Sequence, residues 1–168
     1  MKALFIVGFM GSGKSTFGKN LAEAMSVPFY DLDQVIESKT GMRINEIFDT
    51  WGENTFREYE AKELRAFNQI DKPFVLACGG GTPCFYQSME WMNQHGHTLF
   101  LDIPYAEIRN RLEGTEQNRP LYKEHTKEKK VDELHQLYIQ RREIYLQAAS
   151  ILGPEAQNMD EVIHMLNS

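Results

Sequence analysis

Residues 8–15 read Gly-Phe-Met-Gly-Ser-Gly-Lys-Ser, which fits the pattern G-x-x-x-x-G-K-[ST]. Few folds are open to a chain carrying this octapeptide between a strand and a helix. Ahead of it, Ala3-Leu4-Phe5-Ile6-Val7 is a short apolar run rich in strand formers. Behind it, Phe17, Leu21 and Ala24 recur at helical spacing. Strand, glycine loop and helix together make a phosphate cradle. The glycines let backbone N–H groups turn inward around phosphate oxygens, and the new helix aims its positive end at the same place. Lys14 then reaches the β- and γ-phosphates of a nucleotide, and the Ser15 hydroxyl is positioned for Mg²⁺. Gly11, Ser12, Gly13, Lys14, Ser15 and Thr16 are the expected nucleotide-binding stretch. A chance glycine-rich turn is the competing reading, and it leaves the strand and the helix unexplained.

The rest of the chain alternates in the same sense. Strands are expected near 3–7, 28–32, 73–78, 97–103 and 150–152. Helices are expected near 14–25, 33–39, 44–48, 53–69, 85–94, 104–113, 128–149 and 158–167. Such alternation predicts an α/β fold, a parallel sheet covered by helices on both faces. At 168 residues one domain is expected. Glu113 to Lys130 is a polar stretch containing Gly114, Asn118, Arg119, Pro120 and a run of charges. It reads either as a surface loop or as a lid over the phosphates, and Arg119 favours the lid.

Charge narrows the partners. The net charge of −6 argues against nucleic acid, which needs a basic face. An acidic chain that holds a polyanion must gather its cations locally, so single arginines in apolar or glycine-rich surroundings become informative. No apolar run approaches a membrane span, and no leader pattern precedes the first strand. Cys78 and Cys84 suit neither a disulfide framework nor a paired zinc motif, and the expected compartment is the cytoplasm. The histidines lack metal-ligand spacing.

A second group of residues handles polar ligands. Asp31 and Asp33 sit at the end of the second expected strand, where residues two apart share a face. Parallel α/β sheets bind ligands at the strands' carboxyl ends. One carboxylate is suited to Mg²⁺, directly or through water, and the other to a substrate hydroxyl. The alternative is that one of them caps the next helix. Gly79-Gly80-Gly81 follows the strand Phe74–Cys78 and suggests close backbone approach to a ligand, or else a simple turn. On the helix over 128–149, Val131, Leu134, Leu137, Tyr138, Ile144, Tyr145 and Ala148 form an apolar stripe. Arg141 falls near its middle, with no acidic residue three or four positions away. A charge on a buried stripe needs a partner, and an anionic ligand is the favoured one. Arg142 lies toward the stripe's edge. On 53–69, Glu60 joins the stripe of Phe56, Leu64 and Phe67, with Arg57 three residues away. Glu60 either orients Arg57 to grip a carboxylate or simply pairs with it. Asp102 also ends an apolar strand, but Pro104 follows, so it reads as a helix cap and Asp31 is preferred for metal.

Taken in order, these residues resemble shikimate kinases over nearly the whole chain. The matching elements are Gly-Phe-Met-Gly-Ser-Gly-Lys-Ser-Thr at 8–16, Asp-Leu-Asp at 31–33 and Ile-Phe at 47–48. They continue with Gly-Glu-x-x-Phe-Arg-x-x-Glu at 52–60, Gly-Gly-Gly at 79–81, Arg-Pro-Leu at 119–121 and Arg-x-x-x-Tyr at 141–145. The resemblance implies transfer of the ATP γ-phosphoryl group to the 3-hydroxyl of shikimate, with Mg²⁺, on the route to chorismate and aromatic amino acids. It implies a P-loop kinase fold with a five-stranded parallel sheet of order 2-3-1-4-5, a substrate-binding helical region at about 33–61 and a lid at about 113–127. Carried over, Asp33 would bind substrate hydroxyls and help take the proton. Arg57, Arg141 and the 79–81 glycines would bind shikimate, with Phe48 and Phe56 as apolar walls. Arg119 would close onto the transferring phosphate, and Arg111 would cover adenine. Lys14 and Ser15 keep their loop roles, with Asp31 near Mg²⁺. After Gly81 the chain reads Thr82-Pro83-Cys84, where the family varies. A monomer is the default expectation.

Overall fold

The computed structural model describes residues 2–113, 127–155 and 158–167. Five strands form one parallel sheet: β1 (Ala3–Val7), β2 (Phe29–Asp31), β3 (Phe74–Ala77), β4 (His97–Leu101) and β5 (Ser150–Leu152). Their order is β2-β3-β1-β4-β5, as the resemblance implied. The helices are α1 (Lys14–Ala24), α2 (Leu32–Thr40), α3 (Ile44–Trp51), α4 (Glu53–Ala66), α5 (Ser88–His95), α6 (Tyr105–Glu113), α7 (Lys127–Tyr145) and α8 (Met159–Asn167).

The sheet separates two cores, and the period of two along β1 shows how. Leu4 and Ile6 join Leu21 and Ala22 of α1, and Val162 and Leu166 of α8, on one face. Phe5 and Val7 point the other way, into a core with Ile36, Leu64, Met92 and Tyr145. Every residue of β1 is buried, as expected for a central parallel strand. Its pairing with β3 on one side and β4 on the other brings three carboxyl ends together. The phosphate loop leaves β1 there, and the Gly79–Gly81 segment leaves β3 there.

Several boundaries differ from the sequence expectation, and local chemistry explains them. The second strand stops at Asp31 and not at 32, because the Asp31 carboxylate accepts from the N–H groups of Asp33 and Gln34 and starts α2 at once. Asp33 is therefore helical, and it does not share a strand face with Asp31. The helix expected from 85 starts at Ser88, because Tyr86 and Gln87 adopt left-handed backbone at φ 52° and 54°. Asp102 caps no helix: its carboxylate accepts twice from Arg142, at 3.0 and 2.6 Å. No helix among the described residues is long and apolar enough to cross a membrane.

Candidate active site

The carboxyl ends of β1, β2 and β3 border one cleft of about 460 Å³. Gly11, Gly13, Lys14, Ser15 and Thr16 form one end of it. Gly13 sits at the start of α1 with φ 87°, a left-handed conformation that favours glycine. That turn directs the first amides of α1 into the cleft. The Lys14 ammonium donates to the carbonyl of Phe9 at 2.8 Å, folding the lysine back over its own loop. Ser12 is buried and lines a neighbouring cleft with Arg111, Leu152 and Gly153. Arg111 donates to the carbonyl of Gly11 at 3.2 Å, so its guanidinium lies against the phosphate loop.

Ser15 and Asp31 meet as a pair. The serine hydroxyl donates to Asp31 Oδ2 at 2.5 Å, while Oδ1 takes the α2 amides at 3.0 and 3.3 Å. Asp31 thus caps α2, the alternative read from the sequence, and keeps its other oxygen at the serine of the phosphate loop. A hydroxyl and a carboxylate beside bound phosphates suit Mg²⁺, which takes one or two protein oxygens and fills its shell with phosphate and water.

Asp33 lies deeper, on the first turn of α2. Burial pushes its pKa from 3.8 up to about 7, with the charges of Glu60 and Asp31 adding to the effect and Lys14 opposing it. A carboxylate tuned near neutrality can accept a proton from an alcohol and release it again.

The opposite end of the cleft carries the two arginines singled out in the sequence, Arg57 and Arg141. Arg57 on α4 is buried, and its Nη1 donates to Glu60 Oε1 at 2.7 Å. Arg57 and Glu60 are paired, as one of the two readings had it, and both line the cleft. The guanidinium is stacked among Phe48, Phe56 and Phe85, with centroid distances of 5.5, 5.1 and 4.6 Å. Its Nε is buried without a hydrogen-bond partner. Gly79, Gly80 and Gly81 form the floor, and Arg141 reaches them from α7. A Cβ on Gly80 would lie 3.5 Å from Arg141 Nη1.

The Tyr145 hydroxyl, one turn along α7 from Arg141, donates to the carbonyl of Gly80. A tyrosine counted as part of an apolar stripe carries a polar end, and that end serves the site. Thr82 and Phe85 were likewise missed, because their contacts join segments more than twenty residues apart. Arg119 lies outside the described residues.

The architecture and this cleft match known proteins. The shikimate kinase family model matches residues 10–167. The chain belongs to the shikimate kinase family. It is 36% identical to a shikimate kinase from a Sulfurihydrogenibium species, covering 97% of this chain and 94% of the relative. The crystal structure of shikimate kinase from Bacteroides thetaiotaomicron superposes with a TM-score of 0.86 at 33% identity, covering 99% of this chain and 96% of the other. Shikimate kinase from Acinetobacter baumannii in complex with shikimate gives a TM-score of 0.88 at 30% identity, covering 99% and 93%. The chain is an ATP-dependent kinase of this family, with the family's five-stranded parallel sheet. Shikimate kinase chemistry needs a nucleotide cradle, a base for an alcohol and a grip for a carboxylate, and the cleft supplies a group suited to each.

Proposed function

We propose that this one cleft performs the whole transfer, moving the ATP γ-phosphoryl group to the 3-hydroxyl of shikimate. The observation that carries the reading is the spacing of functions along it. The phosphate loop stands at one end, Arg57 and Arg141 at the other, and Asp33 between them.

Arg57 and Arg141 bind the shikimate carboxylate. Arg57 does so with a fork held rigid by Glu60, which suits bidentate recognition. Phe48 and Phe56 flank the ring, and the Gly79–Gly81 backbone approaches its hydroxyls. Asp33 hydrogen-bonds the 3-hydroxyl and takes its proton as the oxygen bonds to the γ-phosphorus. The bond to the β–γ bridging oxygen breaks, and ADP leaves with that electron pair. Loop amides from Gly11 to Thr16, with Lys14, hold the phosphates in line, which is most of what phosphoryl transfer asks of a protein. Arg111, whose guanidinium donates to the Gly11 carbonyl, covers the adenine. Ser15 and Asp31 hold Mg²⁺, which supplies charge neutralisation at the phosphate oxygens.

The helical segment at about 33–61 forms the substrate-binding region of a single domain spanning 1–168. Residues 113–127 form a lid that brings Arg119 to the transferring phosphate; all of these but 113 and 127 lie outside the described residues. The free thiols of Cys78 and Cys84 support a cytoplasmic location, and the enzyme acts as a monomer without nucleic acid.

The test is ADP release from Mg²⁺-ATP with shikimate, gluconate or AMP as acceptor. Shikimate-dependent release, lost in Asp33→Asn, is expected. Release with another acceptor alone would discard the substrate assignment.

A further inference from the structure

Thr82 opens a short 3₁₀ turn, Thr82–Cys84, directly after the glycine segment. It is 1% exposed. Its N–H donates to the carbonyl of Gly79 at 3.1 Å, closing the loop around the site floor. Its hydroxyl donates to Glu60 Oε2 at 2.7 Å. The other oxygen of that carboxylate accepts from Arg57. A buried carboxylate between one arginine and one hydroxyl has a single orientation in which both oxygens are satisfied, and the arginine fork inherits that orientation.

The same hydroxyl also borders the proton acceptor. A Cβ placed on Gly79 would meet Thr82 Oγ1 at 3.0 Å, Glu60 Oε2 at 3.1 Å and Asp33 Oδ1 at 3.2 Å. Three oxygens from α2, α4 and the 79–82 loop therefore converge on one point beside the substrate floor.

We infer that Thr82 is a positioning residue for the substrate grip: its hydroxyl fixes Glu60, and Glu60 fixes Arg57. The inference rests on the reading that Arg57 receives the shikimate carboxylate. Thr82 itself is not among the residues lining the cleft.

The experiment measures kcat, KM for shikimate and KM for ATP. Wild type, Thr82→Val, Thr82→Ser and Arg57→Ala are compared, with thermal melting of each. Thr82→Val should raise KM for shikimate about tenfold, the size of a lost hydrogen bond to a charged group. KM for ATP should stay put. Thr82→Ser keeps the hydroxyl and should restore KM for shikimate. If Thr82→Val does not fold, Thr82→Ala carries the same expectations. An unmoved KM in Thr82→Val, with KM raised in Arg57→Ala, would overturn the role of Thr82 and leave the site reading intact. An unmoved KM in Arg57→Ala would overturn the reading beneath it. Equal loss towards shikimate and ATP would reduce Thr82 to a structural residue.

Discussion

The Arg57 guanidinium occupies the space that a side chain on Gly81 would need. A Cβ built at Gly81 would overlap the Arg57 guanidinium. The backbone there is ordinary, at φ −87° and ψ −17°, so the glycine is required by the arginine and not by the turn. Gly81→Ala should consequently leave the fold in place and displace Arg57. An interaction with a charged group is worth about 1.5–3 kcal/mol, so KM for shikimate should rise roughly tenfold to a hundredfold. Steady-state kinetics at saturating ATP reads this directly; an unchanged KM would mean that Arg57 does not contact the substrate.

Asp33 should give opposite pH signatures in stability and in activity. Its pKa is 3.8 in the ordinary case and about 7 in the folded protein. Between those values the folded protein keeps a proton that the unfolded chain has lost. Stability contributed by this group is therefore greatest at low pH and is lost as pH rises through about 7. Activity runs the other way, since only the carboxylate can accept the hydroxyl proton. In the free enzyme, kcat/KM for shikimate should fall as pH drops below that value. Asp33→Asn should abolish the limb, lower turnover by about 10²–10⁴-fold and melt higher than wild type in mildly alkaline buffer. A limb that persists in Asp33→Asn would assign it to another group.

The contrast between Asp31 and Asp102 marks what sequence could and could not deliver. The strand–loop–helix around 8–16 was legible because its signals are local: an apolar run, glycines at fixed offsets, then helical periodicity. The Arg57–Glu60 pair was legible because residues three apart on a helix are neighbours. Asp33 was read onto a strand because alternation and a helix's first turn look alike over three residues. Asp102 was read as a cap because its true partner, Arg142, lies forty positions away. Thr82 and the Tyr145 hydroxyl were hidden for the same reason: both bonds cross between elements. Short-range geometry survives in sequence, whereas cross-element hydrogen bonds do not.

The same contrast gives a metal prediction. Asp31→Asn keeps an oxygen for the α2 amides, since asparagine is as good an N-cap, but loses the charge beside Ser15. The Mg²⁺ concentration for half-maximal activity should rise about tenfold, with melting little changed. Asp102→Asn should do the reverse: its loss removes a partly exposed pair with Arg142, worth roughly 0.5–1 kcal/mol, with the Mg²⁺ requirement unaltered. A Mg²⁺ titration of both variants decides it. A raised requirement in Asp102→Asn alone would move the metal to the end of β4.

Tyr145 separates structural support from substrate contact at the α7 end of the site. Its ring is fully buried, and its hydroxyl donates to the Gly80 carbonyl. Tyr145→Phe keeps the ring and leaves a buried carbonyl without its donor, at a cost of about 1–3 kcal/mol in stability. Arg141 keeps its charge, so KM for shikimate should rise only severalfold, with ATP affinity unchanged. Arg141→Leu removes the charge itself. It should raise KM for shikimate by about a hundredfold, at the strong end for a charge-assisted contact, while the protein still folds. Denaturant melts and shikimate titrations of both variants read the two effects apart. Were Arg141→Leu to unfold while Tyr145→Phe kept full affinity, Arg141 would be a structural cation, and the carboxylate grip would rest on Arg57 alone.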